Sequence, residues 1–199
     1  MAKRLVFVLV VVLLVLPATA LAATVKVRVE GKTRTLFAPT ELTVNATNAQ
    51  DALEQASIIG EFYYHVTTSA LGSYVDQIGR YGGSSTTGWV FKVDGKSPPV
   101  AANQVQLQDG DTVLWYYATF GPTGGPPTLA VKSATKPGCY TISALDDNGA
   151  PAKVTGVQLH VGSKRAIAAA TGTNVCPGPH RGLLVRATAT GAVRSNAVK

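Results

Sequence analysis

The residue types that most often carry catalysis or metal binding are few in this 199-residue chain and lie far apart. None of the three histidines, His65, His160 and His180, has the spacing to another that is typical of paired metal ligands. Asp109 and Asp111 stand in one turn, but Ca²⁺ requires about six or more oxygen ligands and no further acidic cluster is near them in sequence. No nucleophile, phosphate-binding or dinucleotide-binding motif occurs. The sequence therefore predicts a protein that is not an enzyme and has no resident metal or cofactor.

Aromatic residues are more concentrated than titratable ones. Both tryptophans lie in two alternating runs, Trp89–Val93 and Thr112–Tyr117, and each run borders an Asp-Gly dipeptide. Alternation predicts strands, and Asp-Gly is a strong turn signal. An exposed apolar patch on a soluble protein commonly marks a binding surface. The candidate ligand-binding residues are therefore the large side chains that the alternation places on one face of each strand: Trp89, Phe91, Trp115 and Tyr117.

The one predicted helix is small. The segment Ala49–Ala56 puts three alanines and Leu53 on one stripe, and Thr47 or Asn48 can cap its first turn. Each large aromatic side chain buries up to about 150–250 Å². We therefore expect part of the aromatic surface to stay uncovered, on the sheet face away from the helix. The alternative is that the aromatic residues complete the core and contact the second half of the chain.

Further short strands are predicted around this helix. In chain order they are Thr24–Glu30, Thr33–Ala38 with Glu41–Asn45, Phe62–Thr67 and Tyr74–Ile78. A strand pair, one helix and then several strands ending in an aromatic pair is the order of a β-grasp domain. In that fold a curved sheet packs one face on a single helix.

Four segments, in this order, resemble the transcobalamin-like C-terminal domains, a family of β-grasp caps. They are Ala52–Ala56 (ALEQA), Tyr74–Ile78 (YVDQI), Gly88–Pro98 (GWVFKVDGKSP) and Leu107–Tyr117 (LQDGDTVLWYY). The family pattern has Tyr where this chain has Phe91, and Asn where it has Asp94. The resemblance covers the first half of the chain and implies a β-grasp fold.

The resemblance also implies cobalamin, or a related flat corrinoid, as a ligand. In the animal vitamin carriers, however, this domain closes over a corrinoid that a large helical-repeat domain already holds. No such domain is present in these 199 residues. Cobalamin is therefore an expectation from the resemblance alone.

The N-terminus resembles a secretory signal peptide. Lys3 and Arg4 precede the apolar run Leu5–Leu16, which is shorter than the roughly 20 residues of a comfortable membrane span. We expect cleavage after Ala22, with Ala20 as the alternative, so that residues 1–22 are the signal peptide. The mature chain is then secreted, with no stable membrane span, and is either free or associated with the cell surface.

Charge divides the remaining chain into two predicted domains. Residues 23–120 carry 7 basic and 9 acidic side chains, whereas residues 121–199 carry 9 basic and 2 acidic. The segment 121–127 is rich in Gly and Pro and has linker composition. The sequence therefore predicts a β-grasp domain over 23–120, a linker over 121–127 and a basic domain over 128–199.

The basic second half is predicted to be a small β-sandwich. Six short strand-like segments separated by turns, and no helical period, indicate this class: 129–132, 138–145, 153–161, 165–170, 183–189 and 192–198. Their pattern resembles bacterial Ig-like modules of cell-surface proteins. Cys139 and Cys176 lack the C-x-x-C spacing of redox pairs and are predicted to form a structural disulfide worth about 3–4 kcal/mol.

Together these features predict a mostly β, secreted, non-enzymatic binding or surface-interaction protein. The partner is either a small flat ligand on the β-grasp sheet or, as the alternative, an anionic cell-envelope polymer contacted by the basic Ig-like domain in a structural or adhesive role. The basic residues of the second half are scattered and have few aromatic neighbours, unlike surfaces that stack nucleic-acid bases. No nucleic-acid partner is therefore expected.

Overall fold

A computed structural model describes residues 21–69, 72–122, 124–163 and 165–199. Nearly all of the predicted signal peptide, residues 1–20, lies outside these ranges. The first half holds β1 (Ala23–Glu30), β2 (Thr35–Ala46), α1 (Ala49–Gly60), β3 (Tyr64–Ser69), β4 (Gly72–Ile78), β5 (Tyr81–Gly82), β6 (Thr87–Val93), the 3-10 helix Ala102–Gln104 and β7 (Thr112–Thr119). The second half holds β8 (Thr128–Ser133), β9 (Tyr140–Leu145), β10 (Gln158–Val161), β11 (Arg165–Ala168), β12 (Asn174–Val175), β13 (Val185–Thr188) and β14 (Ala197–Val198). In the described residues, the helices fall short of the length and hydropathy that a membrane crossing requires.

The main sheet of the first half has the strand order β2-β1-β7-β6. Strand β1 pairs in parallel with β7, with Val27 opposite Val113, and the other pairs are antiparallel. Helix α1 packs on one face of this sheet, which is the β-grasp arrangement. The predicted fold class, mostly β with a single helix in the first half, is confirmed.

Helix α1 begins where the cap signal places it. The Asn48 side chain accepts hydrogen bonds from the amides of Gln50 and Asp51 at 3.1 and 2.9 Å, so Asn48 is the N-cap. The Asp51 carboxylate in turn accepts the Thr47 amide at 2.8 Å. The stripe of Ala49, Ala52, Leu53 and Ala56 is completely buried against the sheet, as predicted.

Strand β2 is one long strand rather than two segments. Ala38 and Glu41 have φ angles of 48° and 61°, and the register with β1 shifts between Val27 and Val29. The extra residues of β2 therefore form an irregularity within the pair. A second, three-stranded sheet has the order β3-β4-β5, and its strand β4 contacts β6.

The second half forms two facing sheets of order β12-β9-β8 and β11-β10-β13-β14. Buried aliphatic side chains from both sheets make a single core, which includes Ile142, Leu159 and Val185. The predicted disulfide is confirmed: Cys139 and Cys176 are bonded, with Cα atoms 4.1 Å apart. The predicted domain boundary at 121–127 and the Ig-like resemblance stay predictions.

The second half covers the face of the main sheet that points away from α1. Tyr116 and Ala118 of β7 pack in one cluster with Val193. From β6 the fully buried Lys92 reaches across, and its Nζ donates to the Asp146 carbonyl at 2.7 Å. The open face expected from the small helix is therefore occupied by the other half of the chain.

Candidate functional site

The four candidate residues lie on the face of the sheet toward α1, not on the face away from it. Trp89 and Trp115 are 6% and 2% exposed and belong to the same core cluster as Leu53, while Phe91 and Tyr117 are partly buried and pack against it. The small alanines of α1 leave room for the indole of Trp115 between the helix and the sheet. The expected position on the opposite face was wrong for this reason.

These rings are held in fixed positions. Phe91 and Trp115 stack across β6 and β7 with centroids 5.0 Å apart, and Trp89 meets Tyr117 edge-on at 5.5 Å. The indole N–H of Trp115 donates to the Ala49 carbonyl at 3.1 Å, and that of Trp89 donates to a carbonyl of β5 at 2.8 Å. With their polar atoms already bonded, the tryptophans offer a ligand only apolar surface.

Strand β6 is an edge strand, and a groove of about 350 Å³ runs along that edge. Strand β4 and the segment 97–102 form its other walls. Three of the four candidate residues line it, namely Trp89, Phe91 and Trp115, whereas Tyr117 does not. We call this cavity the β6 groove. Its volume is within the range of small-molecule pockets, roughly 300–1,000 Å³.

The rim of the β6 groove carries exposed apolar side chains that the sequence did not single out as ligand contacts. Tyr74, Val100 and Phe120 line the groove and are 54%, 46% and 43% exposed. In β4 the exposed Tyr74 directly precedes the buried Val75. This alternation is the feature of the sequence that could have predicted the exposure of Tyr74. Val100 and Phe120 lie outside the strands, where periodicity carries no information.

Backbone groups add hydrogen-bonding capacity to the groove. Val93 exchanges both backbone hydrogen bonds with Lys96, at 2.9 and 3.0 Å, so its N–H and C=O point away from β7. The direction alternates along an antiparallel strand, and the backbone groups of Trp89 and Phe91 therefore point the same way. A ligand beside β6 would meet amide donors and carbonyl acceptors as well as rings.

One end of the groove is polar and is formed by Asp147 of the second half. Its carboxylate accepts the Gly125 amide at 2.9 Å and lies 3.4 Å from both the Ser97 and Tyr116 hydroxyls. Burial, and then the charge of Asp147, raise the pKa of Tyr116. Burial lowers the pKa of Lys92, and Asp147, 3.5 Å from Lys92 Nζ, acts in the opposite direction. Asp147 thus fastens the two halves where they border the groove.

The isolated titratable residues have structural partners. His65 Nδ1 lies 2.7 Å from Asp76 Oδ1, and Thr67 donates to the other oxygen of Asp76 at 2.8 Å. Slight burial acts to raise the pKa of Asp76, but the hydrogen bonds with His65 and Thr67 outweigh it, so that the pKa is lowered. Because the Thr67 hydroxyl bonds the carboxylate rather than the imidazole, the three residues do not form a nucleophile–base–acid chain.

The two aspartates of the predicted turn also bond the backbone. Asp109 accepts the Thr24 amide at 2.7 Å, and Asp111 accepts the Gln108 amide at 2.8 Å. Within the described ranges, no group of three or more His, Cys, Asp or Glu side chains is placed to hold a metal ion.

The groove lies largely in a segment that matches a known protein family. Residues 46–119 match the family described as Domain of unknown function (DUF4430). The DUF4430 match spans α1 to the end of β7, so it contains all four aromatic candidates and the rim residue Tyr74. The resemblance to transcobalamin-like domains stays a prediction from the sequence motifs.

One solved structure with similarity to this chain is the crystal structure of a "putative metal binding protein" from Ruminococcus gnavus ATCC 29149. It is 14% identical, covers 50% of this chain and 99% of its own, and has a TM-score of 0.38. Similarity at this level transfers neither a fold nor a ligand. The curated proteins contain no match to the chain.

Proposed function

We propose that this protein is an exported, non-enzymatic binding protein that holds a flat, largely apolar ligand in the β6 groove. The observation that carries the proposal is the combination of rigid aromatic rings in the groove with exposed apolar side chains on its rim. Soluble proteins seldom expose such surface without a partner. The disulfide and the absence, in the described residues, of a helix able to cross a membrane are compatible with export.

A corrinoid or related tetrapyrrole is the ligand class to test first. This choice rests on the four sequence segments that resemble transcobalamin-like domains. A planar macrocycle with polar substituents would suit the groove, because its face can lie on Phe91 and Tyr74 while its edge meets the backbone of β6. A groove of about 350 Å³ would enclose one edge of such a ligand rather than the whole molecule.

The test is an isothermal titration of the chain from Ala23 to Lys199 with cobalamin, a tetrapyrrole panel and smaller aromatic compounds. Calorimetry is preferable to tryptophan quenching alone, because these ligands absorb light themselves. Quenching of Trp89 or Trp115 should accompany the heat and should exceed that of free tryptophan at the same absorbance. A flat titration with every compound would contradict the proposal.

Two tyrosines provide a matched pair of variants. Tyr74 lines the groove and is 54% exposed, whereas Tyr63 is 59% exposed and lies outside it. Tyr74→Ala should weaken ligand binding by about five- to tenfold, the value of one aromatic contact, and Tyr63→Ala should leave it unchanged. Equal effects of the two substitutions would place the ligand elsewhere.

The envelope-polymer alternative relies on the basic second half. Lys132, Lys136, Lys153 and Arg181 are exposed, as that role requires. Arg186 and Arg194, in contrast, contact the buried Glu30 of the first half. Part of the positive charge that suggested polymer binding is therefore used between the two halves.

A further inference from the structure

The contact between the two halves contains one buried carboxylate surrounded by arginines. Glu30 is 1% exposed, and its oxygens lie 2.6 Å from Arg28 Nη1, 2.9 Å from Arg194 Nη2 and 3.4 Å from Arg186 Nη2. Glu41 is 3.7 Å from Arg28. Three positive charges thus meet two negative ones, and one positive charge stays uncompensated.

The crowding of like charges is greatest at Arg186. Burial lowers the pKa of Arg186, Glu30 opposes this, and the charges of Arg28 and Arg194 lower it further. Its Nε is enclosed and has no hydrogen-bond acceptor in the structure. A guanidinium group stays protonated in proteins, so the excess charge persists at neutral pH.

A cleft of about 410 Å³ opens on this cluster between β2 and the second half. Arg34, Arg186 and Arg194 line it together with the hydroxyl-bearing Thr33 and Thr35, and its remaining lining residues are apolar. None of the described lining residues is acidic, because Glu30 lies behind the arginines. We call this cavity the arginine cleft.

The contacts between the halves do not account for the whole cleft. Arg186 donates to the Thr35 hydroxyl at 2.6 Å, and Arg194 donates to the Gly31 carbonyl at 2.7 Å, so these two residues hold the halves together. Arg34 is exposed, and no side-chain hydrogen bond or ion pair is found for it among the described residues. Its guanidinium has donors to spare at the mouth of the cleft.

We propose that the arginine cleft binds a phosphate group, either inorganic phosphate or a phosphate of an anionic polymer. A guanidinium fork matches the oxygens of phosphate, and the Thr33 hydroxyl can donate to the same anion, whereas the Thr35 hydroxyl donates to Glu30. Three cations around one cavity favour an anion with several charged oxygens over a carboxylate. The arginine cleft shares no lining residue with the β6 groove, so this inference is independent of the proposed function.

The experiment is a calorimetric titration of the chain from Ala23 to Lys199 with inorganic phosphate at low ionic strength, with acetate as the comparison anion. Arg34→Gln should weaken phosphate binding by about fivefold or more, since it removes one charge-assisted contact. Lys153→Gln removes the same charge from an exposed position outside the cleft and should change the affinity less than about twofold. Because both side chains are exposed, neither substitution should alter the unfolding curve.

A second titration with a glycerol-phosphate polymer distinguishes the two sources of the anion. Equal affinity per phosphate for the polymer and for inorganic phosphate assigns the cleft to the free ion. Much tighter binding of the polymer, still weakened by Arg34→Gln, assigns it to a polymer. Absence of heat with both, equal losses in the two variants, or acetate binding as tightly as phosphate would overturn the proposal.

Discussion

Phe91 and Trp115 stack across neighbouring strands, with ring centroids 5.0 Å apart and ring planes inclined by 29°. The indole N–H of Trp115 donates to the Ala49 carbonyl of α1, which fixes the orientation of the ring. Phe91 therefore stacks on a ring that cannot easily rotate. Phe91 is only partly buried and forms a wall of the β6 groove. The stack therefore connects the hydrophobic core to the candidate binding surface.

Replacing Phe91, the partly exposed ring of this stack, should lower both the stability of the protein and its affinity for a ligand. Phe91→Leu keeps an apolar side chain but loses the aromatic contact, so we expect about 1–2 kcal/mol of destabilisation. Ligand affinity in the β6 groove should fall as well. Urea unfolding and calorimetry on the same sample measure both quantities. Unchanged binding by a destabilised variant would remove Phe91 from the site.

The turn after β6 gives a test of contact between the halves. Asp94 and Gly95 have φ angles of 50° and 81°, and a Cβ on Gly95 would come within 2.5 Å of the Leu145 side chain. Gly110 has a φ of 91°, and a Cβ there would have no neighbour within 4 Å. Gly110→Ala should cost about 1–2 kcal/mol for the backbone alone.

Gly95→Ala carries the same backbone cost and also displaces Leu145. We expect its free energy of unfolding to fall by about 1 kcal/mol more than that of Gly110→Ala, the typical cost of a mild overpacking. Parallel urea curves of the two variants give the difference. Identical losses would show that the turn and Leu145 are not in close contact in solution.

Glu30, the buried carboxylate between the two halves, should contribute far more to the free energy of unfolding than the partly exposed Glu41. Glu30→Gln leaves three arginines facing a neutral side chain, and removing one partner of a buried ion pair typically costs about 3–5 kcal/mol. Glu41→Gln removes only a 3.7 Å contact near the surface and should cost less than about 1 kcal/mol. Chemical denaturation at pH 7 compares them, and similar losses would contradict the central role of Glu30.

The raised pKa of Tyr116 predicts that the stability of the protein depends on pH in the alkaline range. Its folded-state pKa is raised by burial and by Asp147, whereas an unfolded tyrosine titrates near its ordinary value of 10.0. Above that value the unfolded state loses a proton that the folded state keeps, so the free energy of unfolding falls as pH rises. Tyr116→Phe should make this fall shallower between pH 9 and about pH 11. Tyr74→Phe, at an exposed ring, should follow the wild-type slope.

Local sequence patterns were sufficient to predict most helices and strands of the first half. The cap at Asn48, the buried stripe of α1 and the turn at Asp94 all rest on interactions within a few residues, which the sequence shows directly. The parallel pairing of β1 with β7 has no such local signal, because Val27 and its partner Val113 are far apart in the chain. Periodicity identified both strands but not their neighbours.

The four candidate binding residues stay a prediction, and the sequence misplaced the sheet face on which they lie. The sequence placed Trp89 and Phe91 on one face of their strand and Trp115 and Tyr117 on one face of theirs, and all but Tyr117 line the groove. Which face they occupy depends on how closely α1 approaches the sheet, and on Tyr116 packing with Val193 of the other half. Both are properties of tertiary packing that no single segment encodes.

The position of β1 in the middle of its sheet affects the order in which the chain can fold. The first strand of the described chain pairs with β2 on one side and with β7, which ends at Thr119, on the other. A nascent chain can form the β1–β2 hairpin early, but the sheet cannot close until residue 119 has emerged. Such long-range pairing raises contact order and slows folding. The first half should thus remain incompletely folded throughout most of its own synthesis.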